Sequence, residues 1–180
     1  MGLLDIVTLP ALILRQKAKP VKRFDKNLQN LIDDMLDTMR DAPGVGLAAP
    51  QIGQSIRLLV VEFAKEVDEE DENAPKPKPK RYVLINPEIV ERSEEMVEGI
   101  EGCLSIPGIV GKVERHESIT VKALNRFGKP QKVKESGWMA RIIQHEIDHL
   151  DGILYTDRAS EVFEPVPEEE DEILSEVDAS

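Results

Sequence analysis

A single cysteine, a single tryptophan and three histidines stand among 180 residues, and each scarcity removes a class of answer. One thiol, Cys103, can form no internal disulfide, so the fold must be held by its core, and a reducing compartment, the cytoplasm, is the expected address. No apolar run approaches the roughly 18 residues that a spanning helix needs, so no membrane role is expected. The opening Met1-Gly2-Leu3-Leu4-Asp5-Ile6 lacks a basic stretch ahead of an apolar one. It also carries Ile6 where a myristoylation signal wants Ser or Thr, so it is read as neither a secretory signal nor a lipid anchor. Basic residues are short too: 23 Lys plus Arg face 35 Asp plus Glu, a formal net charge of −12. That balance offers no basic face for phosphates and argues against direct DNA binding.

The acid excess is unevenly placed. Residues 161–180 hold nine acids and no Lys or Arg, residues 65–80 hold six acids and four bases, and the rest of the chain is left at −1. In the inner segment Glu66 and Asp68 to Glu72 are followed by Pro75, Pro77 and Pro79 alternating with Lys. It has too few apolar groups to offset ordering entropy and reads as an exposed charged loop. The outer segment, with Pro165, Pro167 and the block Glu168 to Glu172, reads as a solvated, disordered acidic tail. With no internal repeat and no second core, the expected organisation is one domain over 1–160 and a tail over 161–180.

Within that domain Leu28, Leu31, Ile32, Met35, Leu36 and Met39 recur at helical spacing, which predicts an N-terminal amphipathic helix over Asn27 to Arg40. Ser55 to Phe63 and Arg81 to Asn86, the latter closed by Pro87, read as strands. Ile119 to Leu124 and Gln131 to Lys134 flank an Asn125-to-Pro130 turn and read as a hairpin. Gly137 to Leu150 reads as a second helix with Gly152 as its stop. The fold class is α+β: antiparallel strands packed around a central helix, with an N-terminal helix ahead of them.

The second helix carries His145-Glu146-Ile147-Asp148-His149. Residues four apart on a helix lie one above the other, so both imidazoles reach one ion, while Glu146 stands beside the open coordination position as a base. Two histidines do not complete a catalytic metal centre, which takes about three protein ligands and leaves a position open. No histidine follows His149, leaving Asp151, Asp157 and Glu161 downstream, or Cys103 upstream in Glu101-Gly102-Cys103-Leu104-Ser105. A third segment, Gly44-Val45-Gly46-Leu47-Ala48-Ala49-Pro50-Gln51, has the glycine spacing of a dinucleotide turn but the wrong context, since it follows a helix and runs into Pro50 and Gly53. It reads instead as backbone lying close to a ligand, with Gln51 offering an amide donor.

Those three segments, Gly44 to Gln51, Glu101 to Ser105 and Gln144 to His149, resemble the three signature motifs of the peptide deformylases, in the same order, and the resemblance spans about residues 5–158. Ile106-Pro107-Gly108 is similar to the bacterial and organellar type 1 branch. The resemblance implies one divalent ion held by Cys103, His145 and His149, usually Fe2+ in the cell, with Zn2+, Ni2+ or Co2+ as alternatives. It implies Glu146 as the proton-transfer residue, and the Gln51 amide and Leu104 N–H as oxyanion donors. It further implies a methionine pocket formed by Val45, Trp138 and Ile142, and the Gly46 backbone as a strand-like partner of the peptide. The substrates implied are N-formylmethionyl nascent peptides, met by a monomer in transient association with the ribosome, and the products are formate and a free N-terminal methionine. Two rival readings stay open at this point: a zinc endopeptidase using the same helix motif, and a structural ion in a binding module.

Overall fold

A computed structural model describes residues 2–64, 73, 75 and 77–165. Helix α1, Lys26–Asp41, starts where Asp25 Oδ1 accepts the Leu28 N–H at 3.0 Å, one of the donors a helix start leaves orphaned. Short strand β1 (Gly46–Ala48) runs into a single 3-10 turn, Ala49–Ile52, and β2 covers Leu58–Phe63. Strands β3 (Lys80–Arg92), β4 (Met96–Cys103), β5 (Ile106–His116), β6 (Ser118–Leu124) and β7 (Pro130–Ser136) follow. Helix α2 is Gly137–Leu150, α3 is the one-turn Tyr155–Arg158, and β8 is Glu161–Phe163. All strand pairings are antiparallel and form two sheets, ordered β1-β2-β3-β6-β7 and β4-β5-β8. The fold is α+β. No helix among the described residues is long and apolar enough to cross a membrane.

The uninterrupted apolar run of β2 follows from cover on both faces. Leu58 and Val60 pack with Leu28, Ile32, Met35 and Met39 of α1, whereas Leu59 and Val61 pack with Met139, Ile143, Ile147 and Leu150 of α2. Helix α2 also touches β5, and Gln144 clasps the backbone of His116 on the second sheet, accepting its N–H at 3.1 Å and donating to its carbonyl at 2.9 Å. Lodged between the sheets, α2 is buried from Met139 to Leu150 without a break. It ends where Gly152 adopts φ 74°; a Cβ there would sit 2.6 Å from the Arg15 carbonyl oxygen, so only glycine lets the chain turn.

Three expectations are corrected. Strand β3 does not stop at Pro87: it bulges there, with Asn86 at φ 51° and its side chain bonded both ways to the Val21 backbone, so the proline needs no ladder donor. The strand expected from Ser55 begins at Leu58, although Lys19 and Ile56 form an isolated parallel bridge ahead of it. The expected disordered tail begins instead as a strand, because Lys112, Gly111 and Val110 of β5 pair with Glu161, Val162 and Phe163. Apolar Val162 and Phe163 supply the strand character that the acids around them mask in composition. The remainder of the expected tail, 166–180, and most of the 65–80 loop lie outside the described residues.

Candidate active site

A cavity of about 410 Å³ opens between the sheets above α2. Val45, Gly46, Gln51, Cys103, Leu104, Trp138, Ile142, His145 and Glu146 all line it, and His149, 1% exposed, does not. Strand β1 approaches α2 so closely that a Cβ on Gly46 would lie 2.8 Å from Glu146 Oε1. A side chain at position 46 would push the Glu146 carboxylate out of this place. Strand β1 is also an edge strand, with one side free of any strand partner among the described residues.

The thiol of Cys103 and one nitrogen each of His145 and His149 lie within 4.8 Å of one another, with Sγ 3.3 Å from His149 Nε2. Donors bound to one tetrahedral ion at roughly 2.0–2.3 Å stand about 3.3–3.6 Å apart, so this spacing and this mixture of sulfur and imidazole fit a divalent transition metal. The downstream acids are engaged elsewhere: Asp151 pairs with Arg57, Asp157 with Arg15, and Glu161 with Lys112. Of the ligand choices left open by the sequence, the upstream cysteine is the one the fold brings to the histidines.

Behind the donors stands a chain of buried charge. Glu101 accepts His145 Nδ1–H at 2.8 Å, Arg115 twice at 2.9 Å and Arg141 at 2.7 Å. Arg115 also donates to Asp148 at 2.6 Å, and Asp148 accepts Arg158. Burial pushes the Glu101 carboxyl up, but bonds from His145 and Arg115 outweigh it and hold the group well below the carboxylate range. With Nδ1 committed to Glu101, His145 turns Nε2 toward the donor cluster, the arrangement that orients metal-binding imidazoles. Burial would lower the His145 pKa, yet contacts with Cys103 and Glu101 raise it; burial next to His145 lowers that of His149.

Glu146 differs from every other buried acid here. It is 4% exposed, its Oε2 has no hydrogen-bond partner among the described residues, and burial pushes its pKa up to about 7. Gln51 is fixed in the opposite manner: Oε1 accepts the Ala48 N–H at 3.0 Å, which sets the amide's flip. Its NH2 is left facing Ser105 Oγ at 3.2 Å and Cys103 Sγ at 3.6 Å.

Sequence reasoning quoted Glu101 inside a motif without giving it a role, and missed Arg115, Arg141 and Asp148. A signal existed for two of them. Arg115 shares strand parity with buried Val113, and Arg141 lies on α2 one turn from Trp138 and His145, so both charges point inward.

The profile of the family described as Polypeptide deformylase matches residues 3–164. A peptide deformylase of Symbiobacterium thermophilum is 51% identical over 180 residues, covering 98% of this chain and 77% of its own. The crystal structure of the Thermotoga maritima peptide deformylase superposes with a TM-score of 0.77 at 40% identity, covering 89% of this chain and 100% of that one. A Met-Ala-Ser-bound class I type b peptide deformylase from Acinetobacter baumannii gives 0.77 at 40% identity, covering 87% and 98%. A match over nearly the whole length, joined to a Cys-His-His cluster beside a buried glutamate, leaves neither the endopeptidase nor the structural-ion reading standing, and the chain belongs to the polypeptide deformylase family.

Proposed function

We propose that the cavity above α2 is where this chain carries out its family's reaction, removal of the N-formyl group from newly made polypeptides with release of formate. The observation that carries the reading is the convergence of three metal-type donors with a buried glutamate whose Oε2 has no hydrogen-bond partner among the described residues. Cys103, His145 and His149 hold one divalent ion. Fe2+ is the ion proposed for the cell, and Zn2+, Ni2+ and Co2+ suit the same donors. When bound, the ion acts as a Lewis acid toward the formyl oxygen and makes water a better nucleophile at neutral pH.

The chain's own residues do the rest. Glu146, with a pKa near 7, takes a proton from the attacking water at Oε2 and returns it to the departing amine. The Gln51 NH2, held by Ala48, donates to the oxyanion as it develops, as does the Leu104 N–H from the turn between β4 and β5. One such donor contributes about 3 kcal/mol in the transition state. The free edge of β1 at Gly46 accepts the peptide as an added strand, which suits the tripeptide Met-Ala-Ser found on the Acinetobacter relative. Val45, Trp138 and Ile142 take the methionine side chain. The domain runs from residue 1 through β8, acts as a monomer in the cytoplasm, and meets nascent chains in passing at the ribosome.

Metal analysis combined with formate release from formyl-Met-Ala-Ser tests this. The wild-type protein retains an ion and releases formate, and Cys103→Ala loses both, because two imidazoles bind far more weakly than the full set. A fully metallated, active Cys103→Ala protein overturns the ligand assignment.

A further inference from the structure

Tyr155 opens α3 just after the glycine stop of α2 and is 1% exposed, yet no step of the reaction described above uses it. Its ring lies against the face of His145, centroids 6.0 Å apart and planes 20° apart. Its hydroxyl donates to the Ile109 carbonyl oxygen at 3.1 Å. The ring edge reaches Gly111, where a Cβ would come within 3.1 Å of Tyr155 Cε2. One side chain thus touches a member of the donor cluster at one end and β5 at the other. Ile109 belongs to the stretch from Ile106 to Val110 that lines the substrate cavity.

We propose that Tyr155 is a positioning residue with two separable jobs: its ring fixes the plane of the His145 imidazole, and its hydroxyl fixes the cavity wall at Ile109. The first job rests on the reading of His145 as a metal ligand. The hydrogen bond from His145 Nδ1 to Glu101 sets the direction of one ring atom but leaves the imidazole free to rotate about that bond. A flat face against the ring removes the rotation and aims Nε2 at the donor cluster. The second job follows from the chain around Ile109. Ile106 and Val110 are buried, but between them Pro107 and Gly108 are exposed, Gly108 sits at φ 85° and Ile109 is only partly buried, so the middle of this cavity-lining stretch is its least anchored part. The tie to Tyr155 supplies an anchor from beneath.

The test compares Tyr155→Phe, which keeps the flat ring, with Tyr155→Leu and Tyr155→Met, which do not. Two quantities are read for each: KM and kcat with formyl-Met-Ala-Ser, and Zn2+ affinity by chelator competition with thermal melting as a check on folding. In Tyr155→Phe, KM rises by about three- to tenfold, kcat stays within about twofold, and Zn2+ affinity is unchanged, the result of losing one hydroxyl bond to a substrate-facing wall. In Tyr155→Leu and Tyr155→Met, Zn2+ affinity falls by at least about tenfold. Wild-type KM in the Phe variant, or its failure to fold, overturns the role of the hydroxyl. Wild-type Zn2+ affinity in a folded Leu or Met variant overturns the role of the ring; if both fail to fold, a Phe variant with weakened Zn2+ affinity does so. Wild-type protein that binds no Zn2+ defeats the metal reading itself, which is a different outcome from insensitive variants of a protein that does.

Discussion

Helices α1 and α2 are of similar length and lie on opposite faces of one sheet, but they solve different problems. Helix α1 buries Leu28, Ile32, Met35, Leu36 and Met39 and turns its charged residues to water, so nearly everything it contributes is apolar packing. Helix α2 is enclosed from Met139 onward and takes Arg141, Gln144, His145, Glu146, Asp148 and His149 inside with it. Buried polar groups need partners, and the surrounding strands supply them to Arg141, Gln144, His145 and Asp148. Glu146 Oε2 and His149 Nδ1 are the buried side-chain atoms without one among the described residues. Chemistry is concentrated where the enclosing structure withholds a partner.

The sharpest way to break the comparison is at Glu146. E146Q removes the proton carrier and lowers the rate of formate release by about 10²- to 10⁴-fold while the ion stays bound. Metal loss in parallel with activity would count against its role as base. The same variant tests the stability side. The folded pKa of about 7 lies above the unfolded carboxyl value, so the fold favours the protonated form. Its contribution is therefore complete below about pH 4.5 and is lost as pH rises toward 7, on the order of 3 kcal/mol. In chelator-treated protein, E146Q should melt at the same temperature as wild type near pH 4.5 and higher at pH 8; equal melting at pH 8 contradicts the cost assigned to the buried carboxylate.

Next in size is Glu101→Ala, which leaves Arg115 and Arg141 buried without their shared acceptor. Breaking one side of a buried pair costs about 3–5 kcal/mol. Freeing His145 Nδ1 weakens metal binding by about 10- to 100-fold. Urea unfolding and chelator competition measure the two, and a loss of stability with unaltered metal affinity would show that the carboxylate serves the fold alone. The smallest effect belongs to α1: Asp25→Ala removes the cap on Leu28 N–H and lowers stability by about 1 kcal/mol, with kcat/KM unchanged. A change in kcat/KM there would mean that the two helices are coupled through the sheet.

What could be read in advance tracks how local its cause is. Both helices were legible because a 3.6-residue period needs no partner to be visible, and α2 falls on the residues its pattern predicts. The helix motif at His145 to His149 was legible from spacing alone, whereas Val45, Gly46, Leu104, Trp138 and Ile142 were marked only by the family resemblance; these five line one cavity with His145 and Glu146. Strand β5 was not legible: Pro107, Gly108 and Gly111 interrupt its pattern, and its register is set by pairing with β4 and β8. The charge chain through Glu101, Arg115 and Asp148 joins residues from two strands and a helix, and no spacing rule connects such positions. Strand β8 was hidden for a third reason. The acids that follow it dominate the composition of the segment, while Val162 and Phe163 supply its strand character.

That last pairing also sets a schedule for assembly. Val110 meets Phe163, and the chain then runs on to Pro165, which itself lines the cavity. Contacts between residues so distant in sequence pay loop-closure entropy before they are rewarded, and during synthesis this one must wait until Phe163 has been added. Hairpins β6-β7 and β4-β5 close over short turns and are free to form earlier. The part of the cavity wall that Pro165 supplies is thus set in place only after β8 has paired, so a growing copy of this chain lacks that wall until the residues through Pro165 have been added.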